Sequence, residues 1–473
     1  MKKILIYIKR QQLYVLNCMN ARRYWLDKLV FYVFFVLIGC MSANAQLPST
    51  TSTQQLGADI KTSKAVMDDF MDKRFGMFIH WGPVTLRGTE IGWSRGNEVK
   101  TEDYDNLYKE FNPILFDADA WVKTAKDAGM KYITITAKHH DGFCLWPTAF
   151  SDYNIMNSPF KKDIVGELAK ACKKYDIKFC IYFTVLDWHD KNYPLHDRAK
   201  KIDPNANMDK FRQTMKNELK ELVVNYDPYM LWFDGMWEDA WTNEMGVDIY
   251  QYLKSIKKDL IINNRLGKEI SGIGDNTVDH SKMVGDFDTP EQRIGNIEMN
   301  FPWESCITIC NQWAWKSNDK MKTLKECIQT LAKTAGGNGN LLFNVGPMAD
   351  GRIEARQIER LKEMGVWLGK YGTSIYGTKG GPYKPNSTYA TTRKGNVIYL
   401  HIFERNADKL ILPVLADAKI KSAKFMNGDV VSFAQNKDFG VLINLPKVLP
   451  DAINSVIVLE LDKNAEKLPI INN

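Results

Sequence analysis

Between residues 63 and 378 the chain alternates short apolar runs with stretches of helical periodicity, and this alternation constrains the fold more than any other feature. Eight runs read as strands: 76–82, 132–138, 178–184, 229–235, 259–265, 283–288, 305–310 and 339–346. Most are rich in β-branched or aromatic residues, as parallel strands covered on both faces should be. Helical stretches at 117–127, 164–175, 208–225 and 247–257 precede the second, third, fourth and fifth runs. Another, 320–333, separates the seventh run from the eighth, and 354–370 follows the eighth. This pattern predicts an α/β fold, a (β/α)8 TIM-like barrel over 63–378. The barrel is expected to be irregular, because no clear helix follows the fifth or sixth run. A doubly wound sheet is the rival, but no Gly-rich dinucleotide fingerprint follows the first run.

Beyond residue 378 the pattern changes to short alternating runs at 397–403, 409–413, 420–425, 441–445 and 455–461, with turns between them. A C-terminal all-β sandwich domain is expected over 379–473.

The first 45 residues read as an export signal: a basic stretch ending at Lys28, an apolar run 29–38, then Ser42-Ala43-Asn44-Ala45. About ten apolar residues are too few to span a bilayer. Two readings of the processing site stand. Cleavage after Ala45 releases a soluble product, whereas Leu37-Ile38-Gly39-Cys40 resembles a lipoprotein box that would leave Cys40 as a lipid anchor. Either reading places the protein outside the cytoplasm, in the periplasm or the extracellular space. The Ser/Thr/Gln-rich stretch 46–62 reads as a linker. The net charge of +7 comes largely from the signal, which holds seven of the 63 basic residues and one of the 56 acidic ones. The remainder carries a net +1, which gives no electrostatic ground for a nucleic-acid partner. Six Cys follow the signal, at 144, 172, 180, 306, 310 and 327, too few for a disulfide scaffold and without zinc spacing.

In a barrel of this kind functional side chains gather at the C-terminal strand ends. Those ends carry His80, His139-His140-Asp141, Tyr182, Trp232-Phe233-Asp234-Gly235, Arg265, Asp288 through Glu291, and Trp313 with Trp315. Three of the chain's seven His fall there. His139 and His140 are adjacent, so on an extended strand they face opposite ways and make a poor chelate. No metal and no organic cofactor is expected. The set suits glycoside hydrolysis, which needs two carboxyl groups flanking one bond. Asp234 shares the parity of Trp232 and should face the barrel interior, although a helix cap or a paired loop carboxylate would occupy the same position.

Four segments make the reading specific: 75–82 (FGMFIHWG), 138–143 (KHHDGF), 232–235 (WFDG) and 338–347 (NGNLLFNVGP). Together they resemble the signatures of α-L-fucosidases of glycoside hydrolase family 29, over about residues 63–378 and on into the β-rich part. The resemblance implies a retaining exo-glycosidase that removes terminal α-L-fucose from fucosylated oligosaccharides or glycoconjugates. It makes Asp234 the nucleophile. His80, His139 and His140 would bond the sugar hydroxyls, and Tyr182 and Arg265 would complete the polar lining. Phe78 and Trp315 would meet the apolar side and C6 methyl of the sugar, and Trp232 would form the floor. The acid/base falls after the sixth strand: Glu291, with Glu304 and Glu298 as alternatives. One departure stands out. Many family members carry a Glu-Trp pair after the first strand, whereas here Trp93 follows Gly92 and the nearest carboxylate is Glu90. An exo-glycosidase for an L- or D-galactoside, or a non-catalytic glycan-binding protein on the same fold, are the rival readings.

Overall fold

The structure, a computed structural model, describes residues 60–197, 201–268, 280–415 and 418–472. The expected signal, Cys40 and nearly all of the linker lie outside the described residues.

Seven parallel strands form one curled sheet: β1 (Phe75–Ile79), β2 (Tyr132–Lys138), β3 (Lys178–Thr184), β4 (Met230–Asp234), β5 (Ile261–Ile262), β6 (Glu304–Thr308) and β7 (Asn340–Val345). Their order is β5-β4-β3-β2-β1-β7-β6. Helices α1 (Lys64–Lys73), α2 (Thr101–Asn106), α3 (Ala118–Asp127), α4 (Ile164–Tyr175), α5 (Met208–Tyr226), α6 (Asn243–Ile256), α7 (Leu324–Gly336) and α8 (Ala355–Tyr371) accompany them. Five of these start where the sequence supplies a side-chain acceptor for an otherwise unpaired backbone N–H: Asp117, Asp163, Asn207, Thr242 and Thr323.

Strand alternation sorts the apolar side chains into two cores. One set, including Ile79, Ile133, Ile181 and Phe233, packs outward against the helices. The other, Phe78, Tyr132, Cys180, Tyr182, Met230, Trp232, Cys306 and Leu342, fills the barrel interior, and Met67 and Phe70 of α1 join it. Gly76 is required in this interior, because a Cβ there would lie 2.3 Å from the Tyr132 ring. The missing side chain lets Tyr132 cross the barrel.

The expected sixth strand, 283–288, does not form as a strand. The edges of β5 and β6 are joined instead by isolated bridges from residues 287, 288 and 291. Asn264 N–H donates to Phe287 O at 3.0 Å, and Cys306 N–H donates to Pro290 O at 3.1 Å. The physical reason lies in contacts with β5 and the turn after it. Ile262 N–H, a donor that a strand carbonyl would accept, is taken at 2.9 Å by the Asp286 carboxylate. Gly285 has φ 153°, and a Cβ there would meet Asn263 O at 2.3 Å. β5 is likewise shorter than the expected 259–265, because the chain turns into a 3-10 helix at Asn264–Leu266.

The C-terminal part holds two antiparallel sheets. One has the order β12-β15-β10-β9-β8 and the other β11-β14-β13. Their members are β8 (Lys379–Gly380), β9 (Tyr389–Lys394), β10 (Val397–Ile402), β11 (Lys409–Leu412), β12 (Ile420–Phe425), β13 (Phe433–Asn436), β14 (Gly440–Asn444) and β15 (Ser455–Leu461). Ile398, Leu400, Ile457 and Leu459 of the first sheet share a core with Leu412, Val441 and Ile443 of the second, which is the expected sandwich. The six described Cys are all buried and free.

Candidate active site

A cavity of about 340 Å³ opens at the C-terminal ends of the barrel strands. Its volume is at the small end of the roughly 300–1,000 Å³ range of ligand pockets, room for one sugar ring rather than a chain of them. Phe78, His80, Trp93, His139, Tyr182, Trp232, Asp234, Arg265 and Glu291, all picked out from the sequence, line it. Trp237, Cys306 and Trp313 complete the wall.

Arg265 organises the acidic side. A single nitrogen, Nη1, donates to Asp234 Oδ1 at 2.8 Å and to Glu291 Oε2 at 2.9 Å. The two oxygens can therefore be no farther apart than these two legs together. One arginine nitrogen thus holds the two carboxylates on the same side of the cavity. The rest of the guanidinium is also held. Nε donates to Thr289 Oγ1 at 2.9 Å, Nη2 donates to Thr289 O at 3.0 Å, and the group sits 4.7 Å over the Trp232 ring. Burial alone would lower the Arg265 pKa, but the charges around it, Asp234 foremost, outweigh burial and raise it. Tyr182 Oη donates to the other oxygen of Asp234 at 3.1 Å, so both oxygens of that 9 % exposed residue are oriented. Glu291 is freer, with a 42 % exposed side chain.

Burial disfavours a charge on the three histidines around the cavity. Burial lowers the His80 pKa to about 3 and pushes His139 well below its usual value. The His139 ring stacks on Tyr182 at 5.3 Å. His140 stands behind these two. It does not line the cavity. Its Nδ1 pairs with Thr184 Oγ1 at 2.8 Å, and Nε2 stands 3.8 Å from Asp234 Oδ2. That Nε2 has no hydrogen-bond partner and faces the Asp234 carboxylate. Burial also brings its pKa to about 3.

Two other carboxylates considered for the acid/base lie elsewhere. Glu304 is fully buried, accepting from Trp232 Nε1 at 3.1 Å and from Tyr132 Oη. It sits beneath the floor, and burial raises its pKa to about 8. Glu298 N–H donates to Gly337 O, just before β7, which puts it at the opposite end of the barrel. Of the two tryptophans that follow β6, Trp313 is on the cavity wall, its ring 4.7 Å from His80, and Trp315 is not. Glu90 is not a wall residue either. Its carboxylate accepts from the N–H groups of Trp313 and Ala314, both at 2.9 Å, and so braces that loop. The sequence reading overlooked Trp237, which is 38 % exposed and stacks on Trp93 at 5.8 Å. Its signal was present, an aromatic three residues past Asp234 at a strand's C-terminal end.

The α-L-fucosidase family profile matches residues 40–373. The chain belongs to the α-L-fucosidase family. It is 29% identical over 415 residues to the tissue α-L-fucosidase of Bos taurus, an alignment covering 81% of this chain and 85% of that one. Among solved structures it is similar to α-L-fucosidase isoenzyme 1 from Paenibacillus thiaminolyticus, with TM-score 0.75, 32% identity and coverage of 84% and 99% of the two chains. It is also similar to a family 29 α-L-fucosidase from Bacteroides thetaiotaomicron trapped as a covalent intermediate with 2-fluoro-fucosyl fluoride, with TM-score 0.76, 28% identity and coverage of 85% and 97%. An α-L-fucosidase that works through a covalent intermediate is a retaining glycoside hydrolase, a chemistry that needs two carboxyl groups, and the cavity of this family member has two carboxylates joined by one arginine nitrogen.

Proposed function

We infer that this α-L-fucosidase uses Asp234 as its nucleophile and Glu291 as its acid/base. The observation that carries the assignment is the shared Nη1 of Arg265, which brings these two carboxylates together at the cavity. In the first step Asp234 attacks the anomeric carbon while Glu291 protonates the leaving oxygen. In the second, Glu291 takes a proton from the water that releases the sugar from Asp234. Tyr182 and Arg265 aim the Asp234 oxygens. His80 and His139 meet sugar hydroxyls. Phe78 and Trp313 face its apolar side, over the Trp232 floor. The side-chain exposure of Glu291 suits a group that must reach a leaving glycan and then a water. Glu304 has neither the location nor the access for that role.

The substrate class is a fucosylated oligosaccharide or glycoconjugate with fucose at its end, because the cavity holds one ring. Export follows from the basic, apolar and small-residue order of 1–45. Among the described residues, no helix is long and apolar enough to cross a membrane. The catalytic part is assigned to 63–378 and the sandwich domain to 379–473.

The test compares the mature enzyme with Glu291→Gln on p-nitrophenyl α-L-fucoside and on a fucosylated oligosaccharide. Nitrophenol needs little protonation to leave, so the variant should lose about 10²–10⁴-fold on the oligosaccharide and much less in the first step on the aryl fucoside. Equal rates of the two proteins on the oligosaccharide would remove Glu291 from the mechanism. Turnover of a galactoside in preference to the fucoside would overturn the sugar assignment.

A further inference from the structure

We propose that Asn344 is a positioning residue for sugar binding: its carboxamide fixes His80 as the Nδ1–H tautomer, so that Nε2 accepts from a sugar hydroxyl, and holds Trp313 beside it. The inference deepens the reading of the cavity as a fucose site and rests on it. Asn344 lies on β7, is buried, and is not on the cavity wall. Its Nδ2 donates to Trp313 O at 2.8 Å. A backbone carbonyl can only accept, so the amide nitrogen must face Trp313 and the amide oxygen must face the other way. That oxygen lies 2.6 Å from His80 Nδ1. It too can only accept, so Nδ1 carries the hydrogen.

A neutral imidazole has one N–H, so Nε2 is left with a lone pair. His80 lines the cavity, and a hydroxyl placed there donates to Nε2. The opposite tautomer would set two acceptors against each other at Nδ1 and would present a donor to the sugar. The same amide couples this polar contact to the apolar wall. Trp313 is held at its carbonyl by Asn344 and at its N–H by Glu90, with its ring 4.7 Å from that of His80. One side chain therefore sets the spacing between a hydroxyl acceptor and an aromatic face.

The direct test is ¹⁵N NMR of histidine rings in selectively labelled enzyme at pH 8, with His80 identified by loss of its signals in His80→Gln. Wild type should show His80 as Nδ1–H. Asn344→Asp keeps an acceptor at Nδ1 and should keep this tautomer. Asn344→Leu offers none, and His80 should shift toward Nε2–H. The KM of Asn344→Leu for p-nitrophenyl α-L-fucoside should rise roughly 3- to 10-fold, the worth of one neutral hydrogen bond, with a smaller change in kcat. An Nε2–H tautomer in wild type overturns the proposal whether or not the leucine variant folds. So does an Asn344→Leu enzyme with unchanged tautomer and unchanged KM. A failure of the fucoside reading would look different: wild type would turn over no fucoside, with the tautomer result unaffected.

Discussion

Glu304→Gln separates a buried structural acid from a catalytic one, and the structure supplies the magnitude. Glu304 is inaccessible to solvent, and burial raises its pKa from an ordinary 4.5 to about 8. The folded state therefore binds this proton more tightly than the unfolded chain does. The resulting stabilisation is complete below about pH 4.5, drains away as pH rises, and is gone by about pH 8. At 1.36 kcal/mol per unit, the span corresponds to roughly 5 kcal/mol, a large share of the about 5–15 kcal/mol that holds a protein folded. Gln mimics the protonated acid: it keeps an acceptor for Trp232 Nε1, turns its amide toward the Tyr132 oxygen, and never ionises. Urea unfolding of wild type and Glu304→Gln between pH 4.5 and 8.5 reads the difference directly. Other buried groups that titrate in this range, such as Asp141 with its pKa raised to about 6 by burial, are common to both proteins and cancel. The stability of the variant relative to wild type should climb by several kcal/mol across the range, while its activity at pH 6 stays within about threefold. Parallel stability profiles, or a catalytic loss of about 10²-fold or more, would refute the reasoning and return Glu304 to the candidates for acid/base.

Trp313→Ala should lower kcat/KM on the aryl fucoside by about tenfold or more, the worth of one aromatic contact, whereas Trp315→Ala should cost less than about threefold. Equal losses would undo the assignment of Trp313 to the wall. Lys138 is buried between Asp187 at 2.7 Å and Glu218 at 2.9 Å. Lys138→Met leaves both carboxylates without their cation, so stability should fall by about 3–5 kcal/mol. A calorimetric midpoint within about 1 °C of wild type would show that the triad is not holding the loops behind the site.

Much of this architecture was legible because parallel barrel strands are buried on both faces and are rich in apolar and β-branched residues, as β2 and β7 are. The same logic failed where side chains replace ladder partners. At 283–288 the run looks like a strand, yet Asp286 takes the Ile262 N–H and Gly285 bends the chain, facts of tertiary contact that no local pattern carries. In the sandwich, β9 was missed because Thr391, Thr392 and Arg393 are buried through hydrogen bonds rather than by apolarity. Arg393 Nη1, for instance, donates to Ala465 O and Leu468 O. The strand-end rule placed most of the wall, since strands fix side-chain direction. It did not choose between Trp313 and Trp315, because past Thr308 the chain leaves the strand and period two no longer applies. Asn344 sat in plain view within a quoted motif, but its partners come from a different strand end and a different loop.

The claim that Asp234 forms the covalent bond is tested most directly by trapping. Glu291→Gln treated with 2-fluoro-fucosyl fluoride should gain the mass of one fluorofucosyl group, and peptide mapping should place it on Asp234. Asp234→Ala should gain none and should release no nitrophenol from p-nitrophenyl α-L-fucoside. A label on any other carboxylate, or near-native turnover by Asp234→Ala, would contradict the account.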